Sequence, residues 1–146
     1  MIGFRYPDPA FRIKSEGGKD YIFDSFRKKW LVLTPEEWVR QNFLQYLVQV
    51  MKYPLSLIAV EKEFRFGEMN RRYDILIYNT DHQPWMMVEC KAPEITLDQS
   101  VMEQVLRYNI SIPVPYLVIT NGATGYAWVK KEQGLTVLQD LPAFGV

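Results

Sequence analysis

Apolar and polar positions alternate along much of this 146-residue chain, and this period of two predicts strands. Three short runs come first, at residues 11–14, 21–26 and 30–33. The Gly17-Gly18 pair between the first two runs can take the positive φ angles that a tight hairpin turn needs. Residues 1–33 are therefore predicted to form a small antiparallel β lead-in.

A helix is predicted to follow the lead-in. Thr34 suits the N-cap and Pro35 the first helical position, while Glu37 stands where the second half of a capping box belongs. Apolar residues then recur at three- and four-residue spacing and give one apolar face, formed by Val39, Phe43, Tyr46, Leu47 and Val50. Pro54 follows the predicted end of this helix.

The rest of the chain predicts strands around a second helix. The segments are extended runs at 55–66, 72–78 and 85–91, a helix from about 97 to 110, and strands at 116–120, 126–130 and 135–138. The run 116–120 is almost entirely apolar, as in strands that are buried on both faces. This order predicts an α/β fold (α+β by some definitions), with a central mixed β-sheet flanked by helices in one domain, residues 1–146.

Composition narrows the class of protein. Hydrophobic residues make up 48% and charged residues 23%, as in globular proteins, and no apolar run approaches the roughly 20 residues that cross a bilayer. The one cysteine, Cys90, excludes an intramolecular disulfide and a cysteine-based zinc site. Residues 1–14 carry no apolar signal segment, so a cytoplasmic location is the default expectation. The formal net charge is zero and does not by itself suggest nucleic acid.

Two opposite charges stand at the end of the strand that precedes the second helix. Alternation places Glu89 and Lys91 on one face with Trp85, and Cys90 on the other face as a small core residue. Hairpin pairing would bring Asp74 of the preceding strand alongside Glu89. Two carboxylates and a lysine are what metal-dependent phosphodiester hydrolysis uses, because hard oxygen ligands hold Mg²⁺. The alternative is a simple ion pair at a strand end.

Further polar residues surround this arrangement. Gln104 and Tyr108 are four residues apart on the predicted second helix and therefore share one face. Such a pair is usually an ordinary helix surface, but it follows directly after the charged strand. Arg71 and Arg72 lead into Asp74 and are candidates for contacts with phosphate, with solvated surface charge as the alternative.

The ordered set Asp74, Glu89-Cys-Lys91 and Gln104-x-x-x-Tyr108 resembles the PD-(D/E)XK nuclease superfamily. More narrowly, the chain resembles the N-terminal nuclease domain of type I restriction enzyme R subunits, in the segments 35–41, 72–78, 87–93, 104–108 and 120–122. The resemblance covers residues 34–130 and implies a restriction-endonuclease-like fold with its nuclease core in that range.

The resemblance also implies a metal site. Asp74 and Glu89 would be ligands of Mg²⁺ or Mn²⁺, with the backbone carbonyl of Cys90 as a third ligand. An acid of the first helix often completes such sites, and Glu37 or Glu36 is the candidate here. Either acid could instead serve only the N-terminus of the helix.

The remaining roles follow from the same resemblance. Lys91 would activate the attacking water or stabilise developing charge, and Gln104 and Tyr108 would contact the phosphate backbone or orient Lys91. The implied function is hydrolysis of DNA, and a non-catalytic nucleic-acid- or protein-binding module is the alternative. A helicase/translocase or specificity subunit, or a second copy in a homodimer, would be the partner. The chain has no phosphate-binding glycine-rich loop, so it is expected to be a stand-alone relative or an excised domain that cannot translocate DNA by itself.

Overall fold

The computed structural model describes residues 1–145, without the side chains of Phe64 and Phe66. Its elements in chain order are β1 (Ile2–Gly3), β2 (Ile13–Glu16), β3 (Lys19–Asp24), β4 (Lys29–Val32), α1 (Pro35–Gln45), a π-helical turn (Tyr46–Val50), a 3₁₀ turn (Leu55–Leu57), β5 (Ile58–Phe66), β6 (Met69–Tyr78), β7 (Pro84–Cys90), α2 (Gln99–Asn109), β8 (Tyr116–Thr120), β9 (Thr124–Lys131) and β10 (Gly134–Leu138). Within residues 1–145, none of the helices has the length and apolar character to cross a bilayer.

The lead-in forms its own sheet. Strands β2, β3 and β4 pair antiparallel in that order, separate from the main sheet. Gly17 and Gly18 have φ angles of 58° and 77°, so the glycine pair makes the predicted two-residue turn. The first strand begins at Ile13, two residues later than predicted. The two-residue strand β1 was not predicted, and it joins the edge of the main sheet.

The main sheet is mixed, as predicted. Its strand order is β1-β9-β8-β7-β6-β5, with β10 paired to β9 as well. All pairings are antiparallel except that between β7 and β8, and α2 lies between those two strands in the chain. A helical crossover is the usual connection between parallel neighbours. In the strand order, β7 and β8 are the central strands of the main sheet. The bounds of β8 are those predicted from its apolar run.

Each face of the main sheet buries its own core. On the α1 side, Phe43, Leu44 and Leu47 of the first helical segment pack with Ile75 and Val88 of the sheet. The α2-side core contains Leu76, Met87, Val105, Leu117 and Ile119. Burying one such apolar side chain contributes roughly 1.5–3 kcal/mol to the free energy of unfolding. Both cores therefore stabilise the sheet on which the strand ends depend.

The first helix begins as predicted and ends earlier. Thr34 Oγ1 accepts a 3.0 Å hydrogen bond from the N–H of Glu37, which is one half of the capping box. The Glu37 carboxylate does not complete the box, because it contacts Arg27 and Arg40. The α-helix stops at Gln45 and continues as the π-helical turn, whereas one regular helix through Val50 was predicted.

Trp85 lies on the side opposite to the one predicted. The pairing of β6 with β7 shifts register after Ile77, which pairs with Met86, so that Trp85 is the extra residue of a bulge. Trp85 is 5% exposed and belongs to the α1-side core, with its ring centroid 5.4 Å from that of Tyr53. The prediction that Trp85 shares a face with Glu89 was wrong, because strict alternation does not continue through a bulge.

Candidate active site

The candidate catalytic residues lie where β6 and β7 meet. Asp74 is in β6 and Glu89 in β7, and these strands pair antiparallel. Ile75 pairs with Val88, so the register places Asp74 across from Glu89, as hairpin pairing predicted. Lys91 follows directly after the last residue of β7. Two carboxylates and a lysine thereby lie at one end of two central strands.

The Asp74 carboxylate is fixed at both oxygens. Oδ2 accepts a 2.8 Å hydrogen bond from the main-chain N–H of Cys90, and Oδ1 accepts one of 2.9 Å from Nη2 of Arg40. Burial raises the pKa of Asp74, and the Cys90 N–H and the Arg40 charge offset only part of this effect. Asp74 therefore ties β6 to the main chain between Glu89 and Lys91.

Glu89 is the most strongly perturbed carboxyl group of the site. Burial, followed by the nearby negative charge of Asp74, raises the pKa of Glu89 to about 7, while Lys91 acts in the opposite direction. Two partly buried carboxylates that repel each other create a field that a bound cation would relieve. This electrostatic arrangement fits a divalent metal ion.

Helix α2 completes a groove beside Glu89 and Lys91. Its N-cap is Asp98, whose carboxylate accepts a 2.9 Å hydrogen bond from the N–H of Val101. One turn apart on this helix, the exposed Gln104 and Tyr108 line the same groove, of about 220 Å³, as Glu89 and Lys91. The remaining lining residues are Val105 and Asn109. Four of the five residues predicted as catalytic thus line one groove, and the fifth, Asp74, accepts a hydrogen bond from the main-chain N–H of Cys90, between Glu89 and Lys91.

The two candidate phosphate-binding arginines have different surroundings. The Arg71 guanidinium lies over the ring of Tyr108, 3.9 Å from its centroid, and Nη1 donates a 3.0 Å hydrogen bond to the Tyr108 hydroxyl. Arg72 instead pairs with Glu61, with 2.7 Å between Nε and Oε2, and most of its side chain is exposed. Arg71 therefore joins the α2 side of the site, and Arg72 the acids on the other side.

A buried arginine, which local sequence patterns do not indicate, connects the acids. Arg40 is 6% exposed, and its Nη2 lies 2.9 Å from both Asp74 Oδ1 and Glu61 Oε1. Its Nη1 is 2.9 Å from Glu37 Oε1, and Glu36 is 3.6 Å from Nη2. Burial lowers the pKa of the Arg40 guanidinium, but the charges of Asp74, Glu37 and Glu61 together outweigh it and raise this pKa. Arg40 thus serves as an internal cation among the carboxylates.

Glu61 is a second acid near Asp74 that local sequence patterns do not indicate. It stands opposite Asp74 in the β5–β6 register, where the regular pairing is interrupted between Val60 and Lys62. Its φ angle is 54°, an uncommon value for a residue with a side chain. Its carboxylate bridges Arg40 and Arg72. A strained backbone and a two-armed ion pair place this acid next to Asp74.

Of the two first-helix acids, Glu36 is the better candidate for a place in a metal site with Asp74. Both oxygens of the buried Glu37 carboxylate already accept hydrogen bonds, from Arg27, Arg40 and Gln41, so its surroundings do not favour a metal-ligand role. Burial, and then the charge of Asp74, raises the pKa of Glu36.

The donor set for a metal is small. Within residues 1–145, no three His, Cys, Asp or Glu side chains form a ready-made group for an ion. The Cys90 side chain lies in the α1-side core, as predicted, and burial keeps the pKa of its thiol above the usual range. Asp74 and Glu89 remain the two facing carboxylates, to which the Cys90 carbonyl would add an oxygen from the main chain.

A mixed sheet flanked by two helices, with acids and a lysine at the ends of its central strands, defines a restriction-endonuclease-like domain. Comparison with protein families gives a match to type I restriction enzyme R protein N terminus over residues 35–142, which is most of the chain. The chain belongs to this family. Among curated proteins, no match to the chain was found.

Proposed function

We propose that this chain is a metal-dependent nuclease domain that hydrolyses phosphodiester bonds of DNA through a site of the PD-(D/E)XK type. The observation that carries the proposal is the groove shared by Glu89, Lys91, Gln104 and Tyr108, with Asp74 hydrogen-bonded to the main chain of Cys90 between the first two. Membership in the family of R protein N termini supports a nuclease-like module. The catalytic activity, the metal and the DNA substrate go beyond the family match and belong to the proposal.

Asp74 and Glu89 would hold the ion, Mg²⁺ or Mn²⁺, with the carbonyl of Cys90 as the third ligand. Support comes from the raised pKa of Glu89, which reflects burial and the charge of Asp74. When bound, such an ion supplies Lewis-acid polarisation of a phosphoryl oxygen and acidifies a water molecule. Glu61 and Glu36, which share Arg40 with Asp74, add negative charge around the same point.

The other residues act on the substrate and the nucleophile. Lys91 lies beside Glu89 in the groove, where its ammonium group can orient the attacking water and stabilise charge that develops on the phosphate. Gln104 offers an amide and Tyr108 a hydroxyl along the helix side of the groove, both suited to phosphate oxygens. Asp74 also positions Glu89 and Lys91, because it holds the main chain between them.

A second candidate function, a non-catalytic nucleic-acid- or protein-binding module, is favoured by one observation. Both Asp74 oxygens already accept hydrogen bonds, one of them from the cationic Arg40. A site that carries its own cation can be complete without a metal. For either function we propose a helicase/translocase or specificity subunit, or a second copy of the chain, as a partner.

Cleavage of plasmid and single-stranded DNA with Mg²⁺ or Mn²⁺ tests the proposal. We expect Lys91→Ala and Asp74→Ala to lose at least about 100-fold in rate, as for removal of a general acid–base group. The exposed Lys131 and Asp81 supply matched controls, Lys131→Ala and Asp81→Ala, which should cut like wild type. DNA binding without cleavage by wild type would favour the second function. Equal cleavage by all variants would contradict the assigned site.

A further inference from the structure

A second depression adjoins the groove of the proposed active site. It has a volume of about 350 Å³ and is lined by Arg71, Gln104, Arg107, Tyr108 and Ser111. Gln104 and Tyr108 also line the groove beside Glu89 and Lys91, so the two depressions are continuous. Together they form one channel, with Glu89 and Lys91 at one end and Arg71 and Arg107 at the other.

The channel runs between two elements. Register shows that 62–66 of β5 and 69–73 of β6 pair only with each other, whereas the pairing of β6 with β7 begins at Ile75. These residues form a two-stranded ribbon that extends past the sheet, at the end that carries Asp74. Arg71 comes from this ribbon and Arg107 from α2, so the arginines approach the channel from opposite sides.

Arg71 is held in a fixed orientation. Its guanidinium stacks on the Tyr108 ring and donates to the Tyr108 hydroxyl, which limits its rotamers. Its Nε is buried and has no hydrogen-bond partner. The buried Nε cannot reach a ligand, whereas Nη2 donates only weakly, to Sδ of Met69 at 3.7 Å. Nη2 is therefore the donor that a phosphate oxygen would meet.

The charges of these two arginines are not neutralised within the chain. Among the described residues, no salt bridge reaches Arg71 or Arg107, whereas Arg27, Arg40 and Arg72 all contact carboxylates. In a chain with zero net charge, two unpaired guanidinium groups at one end of a channel form a local positive site.

We propose that Arg71, Arg107 and Ser111 form a subsite for a backbone phosphate that neighbours the scissile one on the same nucleic-acid strand. The inference rests on the proposed nuclease function and extends it. Gln104 and Tyr108 line both parts of the channel, so a strand whose scissile phosphate lies beside Glu89 and Lys91 would bring a neighbouring phosphate towards the two arginines. The subsite contacts a phosphate and not the edges of the bases, so it contributes equally to the binding of all nucleic-acid sequences.

Binding without cleavage tests the subsite. Fluorescence anisotropy with a labelled single-stranded DNA 20-mer in EDTA, across a salt series, would compare wild type with Arg71→Gln, Arg107→Gln and the double variant. Arg65→Gln is the matched control, because Arg65 pairs with Asn70 and so lies on the ribbon face opposite to Arg71. Thermal unfolding by circular dichroism verifies that every variant is folded.

We expect the double variant to bind about tenfold more weakly or worse. The slope of log affinity against log salt should fall by about 0.7 for each lost phosphate contact to a single strand. Arg65→Gln should stay within about twofold of wild type. An unchanged slope in the double variant, or an equal loss in Arg65→Gln, overturns the subsite.

Cleavage by the same proteins separates this subsite from the nuclease function. If wild type cleaves DNA while the double variant binds and cleaves normally, only the subsite is wrong. If wild type neither binds nor cleaves, the proposed function fails and the subsite fails with it.

Discussion

The carboxylate of Asp74 accepts a 2.8 Å hydrogen bond from the main-chain N–H of Cys90, the residue that separates Glu89 from Lys91. A side chain of one strand thereby holds the backbone of the next. Because the contact is made to the main chain, it does not depend on which side chain stands at position 90. The position of the strand end, and with it the spacing of Glu89 and Lys91 from Asp74, is fixed by this bond.

Replacement of Asp74 by asparagine should weaken metal binding. Asp74→Asn keeps the shape of the side chain but removes its negative charge, and hard cations favour carboxylate oxygens. We expect the dissociation constant for Mn²⁺, measured by calorimetry, to rise by about tenfold or more, which corresponds to about 1.4 kcal/mol. The exposed Asp81→Asn controls for net charge. Equal Mn²⁺ affinity in both variants and wild type would remove Asp74 from the ligand set.

The metal-free protein should lose stability as pH rises from about 4.5 to 7. The folded protein keeps the Glu89 proton up to about pH 7, whereas the unfolded chain releases it near the ordinary pKa of 4.5. The unfolded state therefore binds fewer protons in this window, and the free energy of unfolding decreases with pH. The contribution of this group is at most about 3 kcal/mol, since one pKa unit is about 1.36 kcal/mol.

Glu89→Gln isolates that contribution, because glutamine does not titrate. Urea denaturation in EDTA at pH 4.5 and pH 8 should show a smaller loss of stability in the variant than in wild type. The two proteins should differ little at pH 4.5, where Glu89 is largely protonated in the folded state. Parallel stability curves for the two proteins would show that the pKa of Glu89 is not raised.

Arg40→Met should destabilise the fold by about 3–5 kcal/mol, the usual cost of breaking a buried ion pair by removing one partner. The substitution leaves Glu37 and Asp74 partly buried without their shared cation. Urea denaturation, compared with wild type, measures the change. The matched control is Arg72→Met, because Arg72 also pairs with Glu61 but is mostly exposed and should cost less than about 1 kcal/mol. Similar costs for the two variants would contradict the role of Arg40 as the internal cation.

Gly125→Ala should destabilise the protein by about 1–3 kcal/mol, as overpacking of a filled site does. A Cβ atom at this position would lie 2.6 Å from the Ile119 carbonyl oxygen and 2.8 Å from Cε2 of Phe4. Gly3→Ala is the control, since its Cβ would meet no atom within 4 Å. Thermal unfolding of both variants measures the effect. Equal melting temperatures would mean that the N-terminal segment does not pack against β9 in this way.

Local patterns predicted the elements well where the signal was continuous. The apolar run 116–120 gave the bounds of β8, and Asp98 caps α2 close to its predicted start. The placement of Asp74 across from Glu89 followed from two adjacent strands and a short turn. The side assigned to Trp85 failed, because a bulge depends on how two strands pair and leaves no mark in the periodicity of either strand.

The acid–arginine cluster could not be read from local pattern. Arg40 and Asp74 are distant in the chain and meet only after α1 has packed on the sheet. The one available hint was the Glu36-Glu37 pair followed by Arg40 at helical spacing, which predicts ion pairs within the helix and nothing about β6. Glu61 gave no signal, because its importance comes from a backbone irregularity opposite Asp74.

The two flanking helices supply different sides of the site. Arg40 reaches Asp74 from the α1 side, whereas Gln104 and Tyr108 meet Glu89 from α2, and the two groups share only the ends of β6 and β7. Replacements of Gln104 and Tyr108 can therefore change the helix side of the groove while Arg40 keeps its carboxylate partners. In evolution, the helix side of the groove can thus diverge while the acid–arginine cluster is inherited, since substitutions at separated positions act almost additively.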